Sequence, residues 1–113
     1  MNISGTCKIL KIYLSEDSQY KKHNLYHAIV EKLKEYDVAG VTVTRGIEGY
    51  GQGKRLSTVR LLPISDNLPI IIEAVDKEER LMKALPYIKE MVNEGLIIMT
   101  DVEVIKYGQD DNK

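Results

Sequence analysis

LPIIIEAVDKEER, residues 68–80, changes its periodicity part-way and sets the fold. Ile70, Ile71 and Ile72 form a row of branched residues that favours a strand. Pro69 stands at its start, where a missing N–H is tolerated. DKEER then opens a helix: Asp76 is placed to cap it, and Glu78 and Glu79 suit the positive end of its dipole. Leu81, Leu85, Ile88 and Val92 continue the pattern as the buried stripe of that helix. Pro86 falls inside the stripe and predicts a kink or two short helices. Gly95 stops the helix, and LIIM with DVEVIKY (96–107) supplies another strand.

The same alternation precedes it. CKILKIYL (7–14) reads as a strand, with Leu10, Ile12 and Leu14 on one face and Cys7, Ile9 and Tyr13 on the other. SEDSQYKKHN follows as a polar loop. Leu25, Tyr26, Ile29, Val30, Leu33 and Tyr36 then recur at helical spacing. Gly40 lies just past that helix, and VTVT (41–44) alternates as a strand. The order is βαββαβ, an α+β ferredoxin-like alpha-beta plait with a four-stranded antiparallel sheet and two helices on one face. Three consecutive isoleucines point apolar side chains both ways, and Ile9 and Tyr13 add to the face without helices. Such a surface predicts an oligomer that buries it.

At 113 residues the chain makes one domain, 1–113, with 1–6 and 108–113 expected to fray and 47–67 a long connection. Its formal charge of -1 gives no global field for nucleic acid or an anionic membrane. Charge is local: residues 45–60 carry a net +3 (Arg45, Lys54, Arg55 and Arg60 against Glu48), leaving -4 for the rest. A single cysteine, Cys7, forbids an intrachain disulfide and reads as a small packing residue. With no apolar run near the length of a membrane span, the expected localisation is cytoplasmic.

The positive segment RGIEGYGQGKRL (45–56) holds four glycines. It fails the Walker A pattern, because Glu48 and Arg55 occupy positions that need Gly and Ser/Thr. It fails the dinucleotide fingerprint too, because Lys54 stands at the third glycine position and no helix follows. Two readings stay open: a concavity of backbone N–H groups flanked by Lys54 and Arg55, or a flexible hairpin whose cations are solvated. Nucleic acid is disfavoured, since the third strand carries no aromatic on which a base could stack. His23 and His27 share a helical face only if the helix already includes residue 23, and no further metal ligands accompany them. Glu16 and Asp17, at the end of the first strand, are placed to pair with loop cations or to do acid–base work. No catalytic constellation stands out.

GVTVTRGIEGYGQGKR (40–55) resembles the second strand and T-loop start of the PII nitrogen-signalling proteins. KIYLSED (11–17), LYHAIVEKL (25–33), RGIEGYG (45–51), DNLPIIIEAVD (66–76) and EGLIIMTDVEVIKY (94–107) resemble the PII-like family catalogued as domain of unknown function one-ninety. The resemblance implies a cytoplasmic homotrimer with sheets packed round a central axis. It implies a regulatory protein, not an enzyme, that binds a small anionic effector in clefts between subunits at the base of a T-loop-like connection. The site residues implied are Arg45, Gly46, Gly49, Tyr50, Gly51, Lys54 and Arg55. It further implies a partner protein, an enzyme or a membrane-transport protein such as a fluoride channel. The PII glycine-rich turn TGxxGDGKI is replaced by NEGLIIMTDVEVI, and the C-terminal basic motif by YGQDDNK. The adenine-nucleotide motif is therefore incomplete, and the cofactor is left open. Gln52 sits one position before the PII glutamine that helps hold 2-oxoglutarate, and Tyr50 does not match the tyrosine that PII proteins modify. The alternatives are a trimeric interaction module without a small ligand, or an enzyme using Glu16 or Asp17 against Lys54 or Arg55 of a neighbour.

Overall fold

The computed structural model of the chain describes residues 2–52, 57–58 and 67–109. In chain order these form β1 (Gly5–Ser15), β2 (Gln19–Tyr20), β3 (His23–Asn24), α1 (Leu25–Glu35), β4 (Gly40–Arg45), β5 (Glu48–Gly49), β6 (Ser57–Thr58), β7 (Pro69–Asp76), α2 (Glu78–Met91) and β8 (Leu96–Val104). The main sheet has the order β4–β7–β1–β8, and every neighbouring pair is antiparallel. This is the ferredoxin-like arrangement, and the row of isoleucines forms one of its two inner strands.

Alternation along the strands divides the sheet. Leu10, Ile12, Leu14, Ile70, Ile72 and Ala74 are buried beneath Leu25, Ile29 and Leu33 of α1 and Leu81, Ala84, Ile88 and Met91 of α2. The opposite face carries Ile9, Tyr13, Ile71 and Val75, with Lys11 directly across from Glu73. On β8 that face presents Leu96, opposite Tyr13, and Ile98, opposite Lys11. These two are 52% and 40% exposed, so the single chain leaves apolar residues of this face in water on either side of the Lys11–Glu73 pair.

Several local expectations change. Asp76 does not cap α2; Lys77 is the N-cap, and it makes no side-chain cap bond. Asp76 is fully buried instead. Its Oδ2 accepts the Ala39 N–H at 2.8 Å and pairs with Arg80 Nε at 3.4 Å, while its Oδ1 accepts the Lys77 N–H at 2.6 Å. Arg80 also donates from Nη1 to the Asp37 carbonyl at 3.2 Å. The segment 76–80 thus ties the start of α2 to the turn between α1 and β4 as well as opening the helix.

Helix α1 ends before Gly40. Asp37 takes the left-handed conformation at φ 57°, its N–H bonds the Lys34 carbonyl, and the Val38 N–H bonds that of Leu33, a Schellman ending. The polar loop 15–24 contains the β2–β3 hairpin, turned by Lys21 and Lys22 at φ 49° and 68°. Helix α2 runs unbroken through Pro86, with buried residues before and after it holding both halves to the sheet. β1 begins at Gly5, whose pairing with Val104 starts the ladder with β8. β8 ends at Val104, and beyond it the chain reaches Tyr107, whose hydroxyl donates to the Ala39 carbonyl. Cys7, on the face without helices, is buried. Among the described residues no helix is long and apolar enough to cross a membrane.

Gly95, just before β8, lies close against the end of β1. A β-carbon there would lie 2.7 Å from the Tyr13 carbonyl oxygen and 3.1 Å from side-chain atoms of Leu14 and Val92. Backbone cannot yield as a flexible side chain would, so Gly95→Ala is expected to destabilise the fold by about 1–3 kcal/mol. Urea unfolding checks this, and a midpoint unchanged from wild type would refute the contact.

Candidate functional site

The long connection leaves the sheet at the end of β4 and returns at the start of β7, two neighbouring strands. Its ends are therefore held side by side by the ladder, in which Arg45 pairs with Ile70. The register is extended by one bond beyond β4, from the Gly46 N–H to the Pro69 carbonyl at 2.7 Å. Gly46 is required there, because an added β-carbon would lie 2.9 Å from Pro69 Cγ. Gly49 approaches the same ring, with a corresponding distance of 3.3 Å. At Gly51 an added β-carbon would meet nothing within 4 Å. Gly46 and Gly49 thus pack against a proline, Gly51 has open space around it, and Gly53 lies outside the described residues.

The end of β1 completes the base. The Glu16 N–H donates to the Leu68 carbonyl at 2.9 Å, and the Asp17 N–H to Asn67 Oδ1 at 3.2 Å. The Glu16 carboxylate receives Arg45 Nη2 at 3.0 Å on each oxygen, and its Oε1 accepts the Leu68 N–H at 3.4 Å. Arg45 on β4 therefore reaches across the start of β7, the strand between it and β1. Beyond this bridge β5 pairs with β6, Glu48 facing Thr58 and Gly49 facing Ser57. Ile47 and Tyr50 are exposed on the connection.

The family model of DUF190, described as an uncharacterized ACR, matches residues 7–104. The chain belongs to the DUF190 family. A UPF0166 protein of Methanocaldococcus jannaschii is 43% identical over 100 residues, covering 88% of this chain and 92% of its own. Among solved structures, a PII-like signaling protein of Thermus thermophilus is similar at a TM-score of 0.65 and 19% identity, covering 89% of this chain and 91% of its own. CPII of Thiomonas intermedia, a nitrogen regulatory PII-like protein solved with ADP, AMP and bicarbonate, is similar at 0.63 and 18%, with 91% and 96% covered. The fold of this DUF190 protein is PII-like.

In the DUF190 chain the structure gathers Arg45, Gly46 and Gly49 at the loop base and sets Tyr50 and Gly51 just beyond it. Lys54 and Arg55 lie outside the described residues. Glu16, which the sequence offers as a carboxylate at a strand end, proves to be the partner of Arg45. Leu68 and Pro69 join through main-chain groups, which residue type alone does not advertise. Two grooves among the described residues lie elsewhere. One of about 480 Å³ is lined by Val30, Lys34, Asp37, Val38, Ala39, Val41 and Arg80. Another of about 700 Å³ follows α1 and includes Tyr20, His23, His27, Glu31, Lys32 and Met91. His23 belongs to β3, so the two histidines do not share a helical face; His27 Nε2 lies 3.7 Å from Glu31 Oε1. Among the described residues no group of three or more His, Cys, Asp or Glu side chains is placed to hold a metal ion.

Proposed function

We propose that this DUF190 protein is a cytoplasmic PII-like regulator that works as a homotrimer. It binds a small anionic effector at inter-subunit clefts and relays occupancy to a partner protein through the connection after β4. The observation that carries this reading is the convergence of both ends of the connection on Arg45, Glu16, Leu68 and Pro69. A ligand touching that point acts on both ends at once. The apolar face bearing Ile9, Tyr13, Ile71, Leu96 and Ile98 supports assembly, because three copies meeting there would remove it from water. Lys54 and Arg55 would add positive charge to the cleft, and adenine nucleotides of the kind bound to CPII are candidate effectors.

A thermal-shift screen with nucleotides, cyclic nucleotides, 2-oxoacids and simple anions tests the reading. A true effector at a hundredfold excess over its Kd should add about 2.7 kcal/mol, a rise of several degrees in Tm. A second reading, an interaction module without a small ligand, is favoured by the exposure of Ile47 and Tyr50. It predicts a flat screen and a protein partner, such as a transporter or enzyme, whose capture is lost on deleting residues 47–57.

A further inference from the structure

We infer that the groove along α1 docks an extended acidic peptide of a partner protein, and that the Lys21–Lys22 turn is kept strained to hold two ammonium groups beside it. Hairpin turns of two residues put both central residues at positive φ, which is why Asn-Gly is the favoured pair. Here both are lysines, at φ 49° and 68°, where a β-carbon crowds the following carbonyl. A chain that keeps long side chains in so crowded a turn, although Asn-Gly would relieve it, points to a task for those side chains. The surroundings indicate the task. Lys21 Nζ lies 5.3 Å from the centroid of the Tyr20 ring, and both residues line the groove. Lys32 and Lys34 line it from α1. Lys21, Lys22, Lys32 and Lys34 stand against Glu31 and Glu35, a net +2 with His23 and His27 neutral. Glu35 is paired with Lys32 at 2.9 Å, whereas among the described residues Lys21, Lys22 and Lys34 have no carboxylate partner.

Charge and shape together select the occupant. An extended peptide with an acidic residue at every second position sets its carboxylates on one face, toward the lysines. Its other face and its ends can lie over Tyr20, Ala28 and Met91, the less polar part of the groove. A continuous strand of phosphates would instead be repelled by Glu31 and Glu35, which interrupt the lysines. A bilayer is flat and does not enter a concavity of about 700 Å³. In the proposed trimer the sheets face the axis, so α1 and the hairpin stay on the outside. The groove is built from residues 20–35 and Met91, so its use does not depend on the effector reading.

The test is fluorescence anisotropy of a labelled peptide of alternating Glu and Ser, titrated with the full chain at low ionic strength. The chain should bind it, and more weakly as salt is added. The double variant Lys21→Asn with Lys22→Gly should bind about fivefold more weakly, while its Tm rises because the turn then has the residues it favours. Lys34→Gln should bind about twofold more weakly at unchanged Tm. In amide NMR spectra the peptide should shift resonances of residues 20–35. The inference is overturned if the full chain does not bind, or if the double variant keeps full affinity or is not stabilised. Shifts confined to residues 45–52 would place the peptide on the connection after β4 and overturn it too. So would tighter binding to phosphatidylserine vesicles or single-stranded DNA than to the peptide. None of these results bears on the effector reading, which the thermal-shift screen decides separately.

Discussion

Replacing Asp76 by alanine should cost about 3–5 kcal/mol, among the largest effects available to a single substitution in this chain. The carboxylate is fully buried, and each oxygen has an assigned task. Its removal orphans the N–H groups of Ala39 and Lys77 and takes the carboxylate away from Arg80. Buried donors stripped of an acceptor lose their hydration and receive nothing in exchange. Asp76→Asn should be milder, because the amide oxygen can still serve one of the two N–H groups. Arg80→Met should also destabilise the fold, because it leaves the buried carboxylate with its two N–H donors but without the Arg80 counter-charge. Urea unfolding should place Asp76→Ala below Asp76→Asn; an Asp76→Ala midpoint within error of wild type would show that the buried network contributes little.

The second large effect concerns assembly. The double change Leu96→Glu with Ile98→Glu should convert the proposed trimer to a monomer, a threefold fall in mass by light scattering. Both residues lie on the helix-free face, opposite Tyr13 and Lys11 of β1. Burying carboxylates at a packed interface costs several kcal/mol per group, and a symmetric assembly repeats that cost in every copy. The isolated fold should survive, because both positions already face water in the single chain, and its circular dichroism should be unchanged. Wild type running as a monomer at micromolar concentration would refute the trimer outright. A variant of undiminished mass would place the interface on another surface.

The architecture was legible because it is written in periodicity. Ile70 to Ile72 must face two ways, and Leu25, Ile29 and Leu33 must face one. Features set by partners distant in sequence were not legible. Asp76 sits where an N-cap belongs, and nothing nearby reveals that the Ala39 N–H, 37 residues earlier, would claim it. Lys21 and Lys22 make a turn that glycine or asparagine normally signals, so their hairpin reads as a polar loop. Gly40 looks like a helix stop, but Asp37 accepts the left-handed conformation first. At the loop base the charges of Arg45 and Glu16 were visible, and their pairing follows from the order β4–β7–β1, which places one strand between them. The glycine count leaves a cradle and a hairpin both open, and residue type alone does not reveal that Gly46 and Gly49 lie against Pro69.

The contact of Gly46 and Gly49 with Pro69 has a consequence for how this domain can vary. It pins both ends of the connection within the sheet's own ladder, so the register of β4 against β7 does not depend on what lies between. A side chain added at residue 46 would therefore disturb the end of β4 and the start of β7 together. A proline seated against two glycines is the clasp that joins the two strand ends.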